Sequence, residues 1–163
     1  MLEIIWVELT SGMPDRTELA HVVIRLVAAI VLGAVVGYER EQAGKEAGLR
    51  THILVAMGTT LFVLAATQSG MNLDGVSRVI QGLVAGIGFL GAGAILKLSA
   101  TREIQGLTTA AGIWVTAAIG VTVGLGSLGL AILATSFTWI VLVSLGYIEK
   151  RRETDRGNDA ASK

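Results

Sequence analysis

The sequence predicts an all-α integral membrane protein with about five transmembrane helices. Three observations predict it. Apolar runs of roughly 18 or more residues, long enough to cross a ~30 Å hydrocarbon core as a helix, recur along the chain. The 13 basic and 13 acidic residues gather in short clusters between those runs instead of being interspersed within them. The basic residues also divide unevenly between the two sides that five crossings define. Composition agrees, with 52% of 163 residues hydrophobic and a mean hydropathy of +0.66. Lipid offers no partner to backbone N–H and C=O groups, so a span must be a helix or part of a closed barrel. The runs are continuous, without period-two alternation, and that selects helices.

In chain order, Leu2 to Leu9 is too short to span. It mixes Ile4, Ile5, Trp6 and Leu9 with Glu3 and Glu8, the composition of a segment lying at the interface. Residues 1–18 therefore read as an extracytoplasmic, interfacial segment. No basic stretch precedes the first apolar residues, so a cleaved signal peptide is not expected. Spans follow at residues 19–38, 51–67, 79–98, 107–125 and 128–148, one transmembrane domain over 19–148. Residues 149–163 form a polar cytoplasmic tail, expected to be disordered beyond its first turn.

Five spans place the 39–50 loop, the 97–103 loop and the tail on one side. That side carries ten of the 13 basic residues: Arg40, Lys45, Arg50, Lys97, Arg102, Lys150, Arg151, Arg152, Arg156 and Lys163. Arg16, Arg25 and Arg78 remain for the other. Basic residues accumulate in cytoplasmic loops, so the N-terminus is expected outside and the C-terminus in the cytoplasm.

An echo at a fixed 58-residue offset suggests internal duplication. Leu32-Gly33-Ala34 returns as Leu90-Gly91-Ala92, and Gly48-Leu49-x-Thr51 returns as Gly106-Leu107-x-Thr109. Two parallel helical-hairpin repeats plus one added helix would explain it; so would coincidence in a chain rich in Gly and Ala.

Helices in lipid gain little hydrophobic drive from meeting, so close packing of small residues does much of the work. Ala29, Gly33 and Gly37 recur every four residues, as do Gly82 and Gly86, and Gly112, Thr116, Gly120 and Gly124. Gly88, Gly91 and Gly93 extend the candidate packing set. Such faces either close the bundle or dock a second copy or another membrane protein.

Ionisable residues at membrane depth are functional candidates by default. Arg25 sits about a turn inside the first span, where it snorkels or meets Asp74 near the outer surface. Asp74 and Arg78 are placed in the outer loop before the third span. The inner cluster is denser: Glu39, Arg40, Glu41, Lys45, Glu46, Arg50, Thr51, His52. Glu39 and Glu41, two positions apart, point to different sides of a helix. Mg²⁺ keeps most of its waters and needs only one or two carboxylates, so Glu39 and Asp74 are the candidate metal ligands, against the plainer reading of solvated charges at helix ends. His52, beside Arg50, is expected to hydrogen-bond or meet headgroups in preference to binding a metal. With no cysteine, nucleophile–base arrangement, P-loop or zinc spacing, an enzyme is not expected. Nor is nucleic-acid binding, at zero net charge.

Gly37-Tyr38-Glu39-Arg40-Glu41, followed by Ala47-Gly48-Leu49-Arg50-Thr51-His52, resembles the first signature of the MgtC/SapB membrane proteins. Gly86-Ile87-Gly88-Phe89-Leu90-Gly91-Ala92-Gly93, then Gly106-Leu107-Thr108-Thr109-Ala110-Ala111-x-x-Trp114, resembles the second. Asp74 and Arg78 match an acidic-then-basic pair in the family, and Thr108, Thr109 and Trp114 join the candidate residues through this likeness. The resemblance runs over residues 19–125. It implies a bacterial inner-membrane protein linked to growth or survival at low Mg²⁺. It also implies either Mg²⁺ transport or regulation of membrane partners, among them the proton-translocating ATP synthase. The virulence-associated type has a cysteine where this chain has Val115, and a soluble C-terminal domain of ligand-sensing type. The match is to a short, SapB-like member.

Two functions are therefore expected to compete. One is a regulator whose small-residue faces contact a membrane protein or a second copy. The other is a Mg²⁺ or other cation transporter or channel. No cofactor is expected, with Mg²⁺ the one ion considered; membrane lipids are the constant partners.

Overall fold

Asp15 opens the first long helix: its carboxylate accepts from the Glu18 backbone N–H at 2.7 Å, and Glu18 itself adds an acid to the first turn. The computed structural model describes residues 1–11, 15–98 and 103–161. Six helices run in the order α1 (Leu2–Ser11), α2 (Arg16–Gln42), α3 (Leu49–Gln68), α4 (Leu73–Gly93), α5 (Leu107–Gly124) and α6 (Leu128–Ala161). Between α4 and α5, β1 (Leu96–Leu98) pairs antiparallel with β2 (Glu103–Gln105), Leu96 opposite Gln105. Pro14, Arg102 and Lys163 lie outside the described residues.

Among the described residues five helices are long and apolar enough to cross a membrane: α2, α3, α4, α5 and the Leu128–Tyr147 part of α6. The protein is an all-α, multi-pass membrane protein. α1 exposes Ile4, Ile5, Trp6 and Val7. At 1.5 Å per residue, α2 extends about 40 Å, more than the hydrocarbon needs. Glu39, Arg40 and Glu41 are thus not loop residues; they form its last helical turn. α6 likewise continues past the predicted end of the fifth span, and the tail expected to be disordered is helical to Ala161.

The third span departs most from expectation. It starts at Leu73, six residues before the predicted 79, because the Asn72 side chain caps it, accepting from the Gly75 N–H at 2.9 Å. Asp74 follows in the first turn. It ends at Gly93, because residues 96–98, apolar enough to pass for helix, pair as a strand instead. Asp74 and Arg78 are accordingly helical, not loop residues.

α3 and α5 are central. α2 packs most extensively on α3, α3 on α5, and α6 against α2 and α5; α4 leans on α5 more than on α3. One core cluster joins Ala29, Val36, Ala56, Ile119, Val123 and Ala131, and another joins Ala47, Ile87, Ile113 and Ala117. Large residues such as Leu54, Phe62, Phe89 and Phe137 face outward, where lipid solvates them. The two echoed motifs fall on equivalent places. Gly48 and Gly106 are the N-caps of α3 and α5, while Gly33 and Gly91 face the following helix of their own hairpin.

Candidate functional site

Where the C-terminal end of α2 meets α3 and α5, a polar joint is built from Glu39, Arg40, His52, Thr116 and Gly112. α2 brings Arg40 to its last turn, facing inward, and α3 places His52 one turn after its start. Arg40 is 2% exposed and His52 fully buried. Arg40 Nε and Nη2 donate to the two carboxylate oxygens of Glu39, the second at 2.8 Å. Glu39 is itself only 12% exposed, so the pair is shielded from water and its attraction is little screened. His52 Nδ1 lies 2.7 Å from Thr116 Oγ1, and Thr116 in turn donates to the Gly112 carbonyl at 2.9 Å. Arg40 Nη1 and His52 Nε2 are buried with no hydrogen-bond partner.

The remaining inner residues separate. Glu41, exposed, reaches across the loop and accepts from the Leu49 N–H at 2.9 Å, capping α3 where Gly48 has no side chain to do so. Arg50 and Thr108 are exposed, Thr51 is half-buried and Thr109 is buried. Trp114, half-exposed, lines a hollow between α4 and α5 with Ile80, Leu83 and Thr122. Glu39 and Glu41 do face different partners, as their spacing implied, and His52 is a hydrogen-bonding residue with no access to headgroups.

At the opposite end of the bundle the expected Arg25–Asp74 pair does not form. Arg25 Nη1 donates to the Gly124 carbonyl at 3.0 Å, satisfying a C-terminal orphan acceptor of α5. Asp74 and Arg78 are exposed. Leu73 and Val76 line a depression with Leu125, which puts Asp74 at the end of the bundle opposite Glu39. Among the described residues no three of His, Asp and Glu gather to hold a metal ion. Glu39 has both oxygens on Arg40, and Asp74, exposed, lies at the other end of the bundle.

The candidate packing glycines divide sharply. A Cβ at Gly33 or Gly37 would come within 2.8 Å of His52 O or 2.7 Å of Leu49 Cα. At Gly120 it would collide with Thr59 Oγ1 and Ala56 O, and at Gly124 it would lie 2.7 Å from Val63 Cβ. These four hold α2 and α5 against α3. Gly91 makes only ordinary contact with Ala110, and a Cβ at Gly82, Gly86, Gly88 or Gly93 would meet nothing within 4 Å. Of the two uses expected for such faces, closing the bundle falls to Gly33, Gly37, Gly120 and Gly124. Gly82 and Gly86 instead line an open apolar groove of about 690 Å³ between α3 and α4, with Leu54, Val55, Phe62 and Ile87.

Sequence reasoning missed that His52 has Thr116 as its partner, and that Thr60 donates to the Gly120 carbonyl at 2.8 Å. The available signal was the hydroxyl within a small-residue stripe, the usual glue between helices in lipid.

A family model described as MgtC family matches residues 26–151, from within α2 into α6. Protein SrpB of Synechococcus elongatus is 45% identical over 129 residues, covering 72% of this chain and 71% of that protein. A putative magnesium transporter, YhiD of Escherichia coli K12, is 44% identical over 130 residues, 76% of this chain and 60% of YhiD. Protein MgtC of Salmonella typhimurium is 41% identical over 123 residues, 76% of this chain; the chain thus spans only 52% of MgtC's length. No solved structure matches. With more than half of its length matched by the family model, and two ordered signatures lying inside that match, the chain belongs to the MgtC family.

Proposed function

We propose that this is a bacterial inner-membrane protein linked to growth or homeostasis at low Mg²⁺, acting as a regulator through helix contacts with a membrane partner. The observation that carries the reading is the unfilled small-residue face of α4. Gly82 and Gly86 border the groove against α3 with nothing within 4 Å of where a Cβ would stand, while Gly33, Gly37, Gly120 and Gly124 of α2 and α5 are used in internal contacts. A helix of another membrane protein can approach such a face closely. The family resemblance suggests the proton-translocating ATP synthase as that protein. No catalytic role and no cofactor belong to this reading.

Mg²⁺ transport is the second reading, favoured by the name that the similar protein YhiD carries and by Glu39 at the expected inner end. Against it, Glu39 is held by Arg40, and the guanidinium beside it repels a cation. The test pairs two measurements. Purified protein in liposomes holding a Mg²⁺-sensitive dye should show no Mg²⁺ flux. Gly86→Leu should fold normally, yet lose both a co-purifying membrane complex and growth at low Mg²⁺. Flux abolished by Glu39→Gln would favour transport instead.

A further inference from the structure

We propose that the outward face of α4 is a dimer interface, where α4 of a second copy of this chain packs in parallel about a two-fold axis along the membrane normal. Asp74, Arg78, Gln81, Ala85, Gly88 and Ala92 follow one another at alternating steps of four and three residues, and all six are exposed. The side they share lies opposite Val76 and Ile87, which α4 buries against the bundle. α4 is the most amphipathic of the six helices, yet its polar side looks away from the protein. Elsewhere such outward positions carry Leu54, Phe62 and Phe137. This seam has no large apolar residue.

Depth makes the polar groups costly. At 1.5 Å per residue from Leu73, Arg78 stands about 8 Å and Gln81 about 12 Å along a helix roughly as long as the ~30 Å hydrocarbon core. Arg78 is long enough to snorkel to the headgroups. The Gln81 amide is not; it makes no hydrogen bond within the chain, and lipid offers it none. Side-chain amides so placed find their partner on another helix. Among the described residues the one side-chain ion pair is Glu39–Arg40, so Asp74 and Arg78 are unpaired within the chain.

The chemistry selects a second copy, because this face complements itself. Copies inserted under the same charge bias run parallel, so each residue meets the partner at its own depth. An amide both donates and accepts, which lets Gln81 pair with the partner's Gln81. Helical side chains lean towards the N-terminus, bringing Arg78 to the depth of the partner's Asp74, and the two-fold axis makes that ion pair twice. Further along, Ala85, Gly88 and Ala92 let the two backbones close up, at the heptad spacing of a parallel helix pair. Gly82 and Gly86 lie on the side turned towards α3, so this contact stands independently of the partner proposed for the groove.

The test uses the full chain, which has no cysteine of its own. In native membranes Ala85→Cys should give disulfide-linked dimers on mild oxidation, which needs Cα atoms within about 7 Å. Phe137→Cys, also exposed but on α6, should not. In liposomes, energy transfer between copies labelled at Ser69→Cys should show association weakened about 3- to 30-fold by Gln81→Leu. Leucine suits a lipid-facing position, so that variant should still fold. Asp74→Arg and Arg78→Asp should each abolish self-association, since each leaves only like charges to meet, while an equal mixture of the two should restore it. Pairing within one chain, or with headgroups, gives no such rescue. Monomers at every protein-to-lipid ratio, Ala85→Cys linked no more than Phe137→Cys or only to another protein, or a mixture without rescue overturns the proposal. Should a charge variant fail to insert, the Ala85→Cys crosslink and Gln81→Leu decide.

Discussion

Gly112 and Gly120 share one face of α5, two turns apart, yet the structure gives them different work. Beside Gly120, the backbone oxygen of Ala56 and the hydroxyl of Thr59 occupy the place a methyl would take, and the α3 backbone has nowhere to retreat. Overpacking a close helix contact costs typically about 1–3 kcal/mol. Gly120→Ala is therefore expected to destabilise by about that amount, measured by thermal unfolding in detergent, with loss of the Thr60 bond to the Gly120 carbonyl as a further cost. An unchanged midpoint would mean that α3 and α5 do not approach this closely. The four-residue spacing was visible in the sequence and identified the face. It did not distinguish a close helix contact from ordinary side-chain contact, because that depends on whether the facing chain presents backbone, as at Ala56, or a side chain, as at His52. Polar residues were legible in the same partial way. Arg40 and His52 were singled out, but their burial arises only when α2 runs four residues past its expected end.

At the scale of elements, the five spans were recoverable because long apolar runs have one solution in lipid, while the ends were set by local chemistry that hydropathy averages away. α4 shows this at both ends. Asn72 and Asp74 begin it where a window of apolar residues had not yet started, and Leu96–Leu98 leaves it although two of its three residues are leucines. The departure is enforced at Gly106, the residue joining β2 to α5. It sits at φ +88°, and a Cβ there would collide with the Ala94 carbonyl oxygen. An L-residue in that conformation costs about 1–2 kcal/mol before any collision is counted. Gly106→Ala is expected to loosen the α4–α5 connection locally: backbone amides at 107–111 should exchange hydrogen faster, while those at 116–120 on α5 keep their protection. Equal loss along the whole helix would show instead that the hairpin supports the entire bundle.

At the scale of the molecule, the two ends differ in charge more than in shape. Ten of 13 basic residues fall on the side of the α2–α3 loop, the hairpin and the tail, and translocating such loops is what membrane insertion disfavours. The turns expected outside, α3–α4 and α5–α6, carry Ser69 and Ser127, both exposed, and the α2–α3 loop carries exposed Lys45. Because the sequence has no cysteine, single cysteines report their own position without background. Ser69→Cys and Ser127→Cys should react with a membrane-impermeant maleimide in spheroplasts, whereas Lys45→Cys should react only after permeabilisation. The reverse pattern would turn the protein over and move the Glu39–Arg40–His52 joint to the outer face, away from cytoplasmic Mg²⁺. Labelling of all three in sealed cells would break the alternation of spans, and with it the packing that buries His52 between α2 and α5. The orientation therefore bears directly on function: only with the N-terminus outside does the buried joint stand one helical turn from the cytoplasm, where a regulator responding to internal conditions would have to meet them.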